Sequence, residues 1–210
     1  MILCSTLLHL VTDEFRIHYF VLLTIYFSLF FLMMAGPPNK HTANDNTSGI
    51  ITLCELYTSL TEEEKKKVAI VFFDNEENGL LGSRAFKKEH KNTIAKQLLI
   101  NFDCVSDGDH ILFAQTKGAR KKWNIEPFFP CSNFKHPMFE KAEQVFYPSD
   151  QKGFPNSIAV AALNHNKFLG YYMSRIHTPR DTVFDEENIR YLCSGFHAFI
   201  ASFCGVISNA

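Results

Sequence analysis

Several catalytic signatures are missing from this 210-residue chain. No Gly-x-Ser-x-Gly elbow raises a serine nucleophile, and no His-Glu-x-x-His helix pairs two zinc-binding histidines. No Cys-x-x-Cys spacing occurs among cysteines 4, 54, 104, 131, 193 and 204, which excludes zinc-finger and thioredoxin-like readings. Most of them read as small buried apolar residues. Cys104 adjoins Asp103, but no general base is identifiable for it, and it too reads as structural. Excess charge is lacking: 21 Lys and Arg against 22 Asp and Glu give a net charge of −1, no footprint for nucleic acid. The short basic stretch 117–122 is solvated surface. Internal repeats, low-complexity tracts and long linkers are absent, and the length suits one domain.

Charge is absent altogether from 17 to 39, and 20–35 is almost wholly apolar, interrupted by Thr24 and Ser28. About 20 such residues span a bilayer as a helix. A signal peptide would have a basic start and a shorter apolar core, whereas 1–12 is apolar and Asp13, Glu14 and Arg16 then sum to −1. A core helix would show a polar stripe. The segment 1–36 is therefore expected to carry a transmembrane helix over 17–36, stopped by Gly36-Pro37-Pro38, with 37–210 as a separate domain. The flanking Lys and Arg are too few to orient it.

Helix and strand alternate through 37–210, an α/β pattern. Helices are expected over 50–60, 80–91 and 188–206, with 62–67 a solvated connection. Strands are expected over 68–73, 98–102, 111–115, 157–163 and 168–173. The run 68–73 reads as a strand buried on both faces. Region 117–152 reads as loops around a short helix at 138–145. It walls the substrate pocket, with Trp123, Phe128 and Phe129 open between pocket and core.

Carboxylates fall at the ends of these elements: Asp45 in a loop leading into a helix, Glu76 and Glu77 after one strand, Asp103 after another. His177 lies beyond the last strand. Ligands gather at such edges of open α/β sheets. Oxygen and nitrogen donors of this kind suit zinc with a position left for water. Adjacent residues at a strand end point different ways, so one of the Glu pair can ligate while the other takes the water's proton. That is metal-assisted hydrolysis.

The strings Asn44-Asp45-Asn46-Thr47-Ser48-Gly49, Glu76-Glu77-Asn78-Gly79-Leu80-Leu81-Gly82-Ser83, Asn101-Phe102-Asp103, Ser149-Asp150 and His177-Thr178-Pro179-Arg180-Asp181-Thr182 resemble the zinc-dependent aminopeptidases related to bacterial leucyl aminopeptidase. The resemblance covers about residues 40–205. It implies a mostly parallel sheet flanked by helices and two zinc ions bridged by Asp45. Glu77 and His177 would complete one ion's site, Asp103 would serve the other, and Glu76 would be the general base. Asp150 and Asp181 would stand behind the ligands, Asp181 orienting the site or capping its loop. The implied reaction is hydrolysis of N-terminal peptide bonds, with peptide as substrate, and the apolar segment adds membrane lipid as the other expected partner.

The family's second zinc also takes a His from a His-Tyr-Asp motif upstream of the bridging Asp, and that motif is missing. His18-Tyr19-Phe20 lacks the Asp, and His41 is only four residues before Asp45. An N-terminal truncation is the expected cause, since some membrane-anchored relatives place apolar spans between the two motifs. The gap leaves two alternatives: a single-zinc enzyme whose ligands resemble those of glutaminyl cyclases, and a non-catalytic relative like the transferrin-receptor ectodomain.

Overall fold

The computed structural model describes residues 13–35 and 39–204, with side chains at 16–32 and 39–203. The chain divides into two compact units, Met1–Lys40 and His41–Ala210.

In the first unit, α1 (Asp13–Ala35) opens on Asp13, Glu14 and Arg16 and is almost wholly apolar from Tyr19 on. Tyr19, Phe20, Leu22, Tyr26, Leu29 and Phe31 are all more than half exposed. Thr24 hides its hydroxyl by donating it to the Phe20 carbonyl at 2.8 Å. Among the described residues no helix is long and apolar enough to cross a membrane. The fold therefore does not support the transmembrane span expected over 17–36, whose last residue, like the stop at 36–38 and the apolar start 1–12, lies outside the described residues.

The second unit is an α/β domain. Its strands are β1 (Leu99–Phe102), β2 (His110–Gln115), β3 (His136–Lys141), β4 (Ser157–Asn166) and β5 (Gly170–Tyr172). They hydrogen-bond in the order β1-β4-β2-β3, with β5 against the end of β4. Helices α2 (Gly49–Ser59) and α7 (Glu186–Cys204) cover one face. Between them in the chain come α3 (Glu62–Lys65), α4 (Leu81–Glu89), α5 (Lys91–Ile94) and α6 (Lys117–Lys122).

The sheet is mixed, not mostly parallel. β1 runs parallel to β4 and β3 to β2, but β4 is antiparallel to both β2 and β5. Only residues 103–109 separate β1 from β2, whereas a parallel crossover takes a dozen or more residues. The short link instead passes the end of β4, where a Cβ on Gly108 would come within 2.4 Å of the Leu163 backbone. An apolar run carries no record of strand direction, so this was hidden in the sequence.

Two sheet faces make two cores. Ile111, Phe113, Ile158, Val160 and Ala162 point to α2 and α7, meeting Leu56, Phe129, Leu192 and Phe196. Leu112, Ala114, Ala159 and Ala161 point the other way, toward Met138 and Tyr147. β2 and β4 are thus buried on both faces, as their unbroken apolar sequences require. Phe113, Phe129 and Phe196 are fully buried, and truncating one to Ala costs about 3–5 kcal/mol in such a core. Phe129 belongs to that core, with Trp123 and Phe128 packed on it, rather than to a pocket wall.

Four expectations fail for physical reasons. Residues 117–122, expected within a loop region, form α6, whose cap Thr116 accepts the Ala119 N–H. Residues 68–73 join no ladder among the described residues, and Val71 and Phe72 are 36% and 57% exposed rather than buried. The apolar pattern is there but no neighbouring strand is. Residues 138–145 are not helical: β3 pairs with β2 and stacks Phe139 on Phe113 at 5.0 Å. Pro137 fits because β3 is an edge strand that needs no donor there. The connection 62–67 contains the one-turn α3, whose Thr61 and Glu64 form a reciprocal capping box with Glu64 buried.

Candidate active site

Asp45 is held by its neighbours. The turn Ala43–Ser48 leads into α2, with Asp45 (φ −111°, ψ 95°) and Asn46 (φ −128°, ψ 38°) outside helical conformation. Asn44 Oδ1 accepts the N–H groups of Ser106 and Asp107 at 2.8 and 3.0 Å. Asn46 donates to the Phe102 carbonyl and accepts from Gly49 and Cys104. Ser48 Oγ accepts from Val105 at 3.0 Å. These side chains bind the turn to the segment after β1, which begins with Asp103. Gly49 permits the approach: a Cβ there would lie 2.4 Å from both Asn46 Oδ1 and the Phe102 carbonyl oxygen.

Glu76 and Glu77 sit in a turn closed on itself. The Glu76 carbonyl accepts from Gly79 and Leu80 at 3.0 and 2.7 Å, and Asp74 accepts from Gly82 at 3.2 Å. His177 lies in a loop tied down at both ends. Arg175 pairs with buried Asp107 at 2.8 Å. Buried Asp181 accepts the N–H groups of Asn44 and Asp45 at 2.8 and 2.9 Å.

The outcome is a cluster of unlike donors. His177 Nε2 stands 2.9 Å from Asp45 Oδ2 and 3.0 Å from Glu77 Oε1. Asp45, Glu77 and His177 form one donor set within 4.8 Å, and Asp45, Asp103 and Cys104 form a second. Neither set contains a histidine besides His177. Glu76 lies outside both but feels Asp103, Glu77, Asp150 and Asp45. Left-handed backbone occurs at Asn75 (φ 52°), Leu80 (φ 62°), Cys104 (φ 55°) and His177 (φ 59°). Strain of this kind concentrates at functional sites.

Charge repulsion marks the same place. Burial first, then Asp103, pushes Asp45 up to about 6, with Glu77 and Asp181 adding to it and His177 opposing. Burial, then Asp103 and Glu77, pushes Glu76 up to about 7. Burial raises Asp150 as well, a hydrogen bond from Ser83 opposing it and Asp103 reinforcing it. Converging carboxylates disfavour one another's ionisation unless a cation lies among them. A divalent ion fits the Asp45–Glu77–His177 set, which combines two oxygens and one imidazole nitrogen. Cys104 is a poor third donor for the other set, because burial and then Asp103 hold its thiol far above its ordinary value.

A family model for peptidase family M28 matches residues 28–192. The chain belongs to peptidase family M28. Among solved structures it is similar to BSAP, a zinc aminopeptidase from Bacillus subtilis, at 16% identity and a TM-score of 0.53. The match covers 77% of this chain and 42% of that one, so this M28 chain spans less than half the length of that aminopeptidase. At such identity the likeness is one of fold. No curated protein sequence matches.

Residues of this M28 domain whose part sequence reasoning missed act on backbone, except Asn101, which acts on side chains. Asn44, Asn46 and Ser48 were visible as polar flanks of one carboxylate, the signal that could have found them. Tyr147, whose hydroxyl donates to the Asp103 carbonyl at 2.9 Å, had no local signal. Neither had Asn101, which donates to Ser149 and Gln151 at 2.9 and 3.0 Å and so anchors the loop carrying Asp150.

Proposed function

We propose that this chain carries the catalytic machinery of a membrane-associated, zinc-dependent aminopeptidase. The observation that carries the reading is the approach of His177 Nε2 to both Asp45 and Glu77 at 2.9–3.0 Å, with Glu76 next in the chain yet outside the donor set. Asp45, Glu77 and His177 would hold zinc, and Asp45 with Asp103 a second, weaker ion. Zinc held there supplies a Lewis acid that makes water nucleophilic near neutral pH. Glu76 takes the proton of the attacking water and returns it to the leaving amine. Its elevated proton affinity, about 7, suits a group that must both accept and donate near neutrality. Asp181 keeps Asp45 in place by holding its backbone, and Asp150 stands behind Glu76. The exposed apolar side chains of α1 between Ile17 and Leu32 support attachment to lipid.

Zinc titration of the full chain in detergent tests the donor assignment. One tight ion is expected at this site, with a second there only at excess metal, since two carboxylates alone bind weakly. His177→Ala should abolish the tight ion and Asp103→Ala should leave it. Release of an N-terminal residue from peptides, set against cyclisation of N-terminal glutamine, separates the aminopeptidase from a single-zinc cyclase. Tight binding unaffected by His177→Ala would overturn the assignment.

A further inference from the structure

A gathering of imidazoles lies on the same edge of the sheet, two strands from Asp103. His110 opens β2 and is in register with His136 of β3 on one side and Leu163 of β4 on the other. Strand alternation puts His165, two residues beyond Leu163, on the same face. The His110 ring lies 4.9 Å from that of His136 and 5.5 Å from that of His165, centre to centre. Cys131 Sγ is 3.7 Å from His136 Nδ1, and its thiol is free and exposed. Asp109 Oδ1 lies 2.6 Å from His110 Nδ1.

Each feature suits a metal of borderline softness. A sulfur and a nitrogen bound to one tetrahedral zinc, at about 2.3 and 2.0–2.1 Å, stand about 3.5 Å apart, close to the Cys131–His136 separation. The Asp109 contact fixes the His110 ring through Nδ1 and leaves Nε2 to ligate, the usual support for a metal-binding histidine. The Tyr171 ring packs on those of His110 and His165, at 5.3 and 4.8 Å centre to centre, so the imidazoles also belong to an aromatic cluster, with His165 exposed and His110 and His136 half-buried. Among the described residues only the sets sharing Asp45 already have their donor atoms within 4.8 Å. Closure here needs the exposed His165 and Cys131 side chains to turn.

We infer that His110, His136, His165 and Cys131 form a separate site for a divalent transition metal such as zinc, sharing no donor with the Asp45 set. Its thiolate and three imidazoles would bind zinc or cobalt in preference to magnesium or calcium, which take oxygen donors.

Metal binding to the full chain in detergent tests this, read by competition with a chromophoric chelator. The His110→Asn/His136→Asn double variant should bind one zinc equivalent fewer than wild type, and Asp45→Asn/His177→Asn should keep that equivalent. Cobalt bound to Asp45→Asn/His177→Asn should show thiolate-to-metal charge-transfer absorption, lost in a Cys131→Ser background. Asp109→Asn should weaken this equivalent by about 10–100-fold. Should the double variant misfold, His165→Asn/Cys131→Ser, both at exposed positions, gives the same readout. Equal zinc uptake by wild type and a folded variant, or cobalt bound without a thiolate band, overturns the inference. Neither result bears on the Asp45 site, which is read from its own variants.

Discussion

Asp181 Oδ2 accepts the backbone N–H of Asp45 at 2.9 Å, across 136 positions of sequence. Its other oxygen takes the N–H of Asn44, and its own carbonyl takes that of Ala43. The loop bearing His177 and the turn bearing Asp45 are therefore one assembly, and His177 meets Asp45 because Asp181 joins their backbones. Asp181→Ala should leave two N–H groups unsatisfied at about 1–3 kcal/mol each and weaken zinc binding about 10–100-fold. Asp181→Asn, which keeps one acceptor oxygen, should lose less. Unfolding in urea together with zinc competition measures both, and unchanged zinc affinity in Asp181→Ala would remove Asp181 from the site.

Glu76→Gln should retain its zinc and lower turnover by about 10²–10⁴-fold, the usual contribution of a general base. Atomic absorption and initial rates on an N-terminal peptide substrate check this. Undiminished turnover would show that Glu76 is not the base.

Without metal, the fold should lose stability as pH rises from about 4 to 7. Asp45 and Glu76 titrate near 6 and 7 in the folded chain, against ordinary values of 3.8 and 4.5. Between those limits the native state holds protons that the unfolded chain has released, so raising the pH favours unfolding. Thermal midpoints in chelator should be higher at pH 5 than at pH 7.5. Saturating zinc, which binds the ionised carboxylates, should reverse the order. A chelated protein more stable at the higher pH would contradict the assigned shifts.

If α1 is embedded in lipid, the full chain should stay in the membrane fraction through high-salt and alkaline washing, because apolar burial is not screened. Release by either wash would mark α1 as peripheral or as a helix packed on protein.

Legibility in the sequence followed how local the cause was. β2 and β4 were readable because burial on both faces leaves an unbroken apolar run, and the position of Asp103 because it directly follows β1, whereas Glu76 and Glu77 lie in a turn that no strand precedes among the described residues and His177 lies in a loop beyond β5. The β3 assignment failed because its strand state comes from pairing with β2, not from its own residues. The same holds for 68–73, whose composition demands a strand while no partner strand is among the described residues. Strand direction escaped because apolar runs are symmetrical in it. The stapling by Asn44, Asn46 and Ser48 escaped because their partners lie about 60 positions away.

The unpaired stretch 68–73 also bears on how the chain behaves at concentration. Beyond Val68, whose N–H donates to the Lys65 carbonyl, residues 69–73 have no partner strand among the described residues, and with Phe72 57% exposed they are a template for sticking edge to edge. The His41–Ala210 unit should self-associate as its concentration rises, and Val71→Lys, which blunts the edge with a charge, should suppress this. Sedimentation over a dilution series would register it, and a monomer at every concentration would mean the edge is already protected.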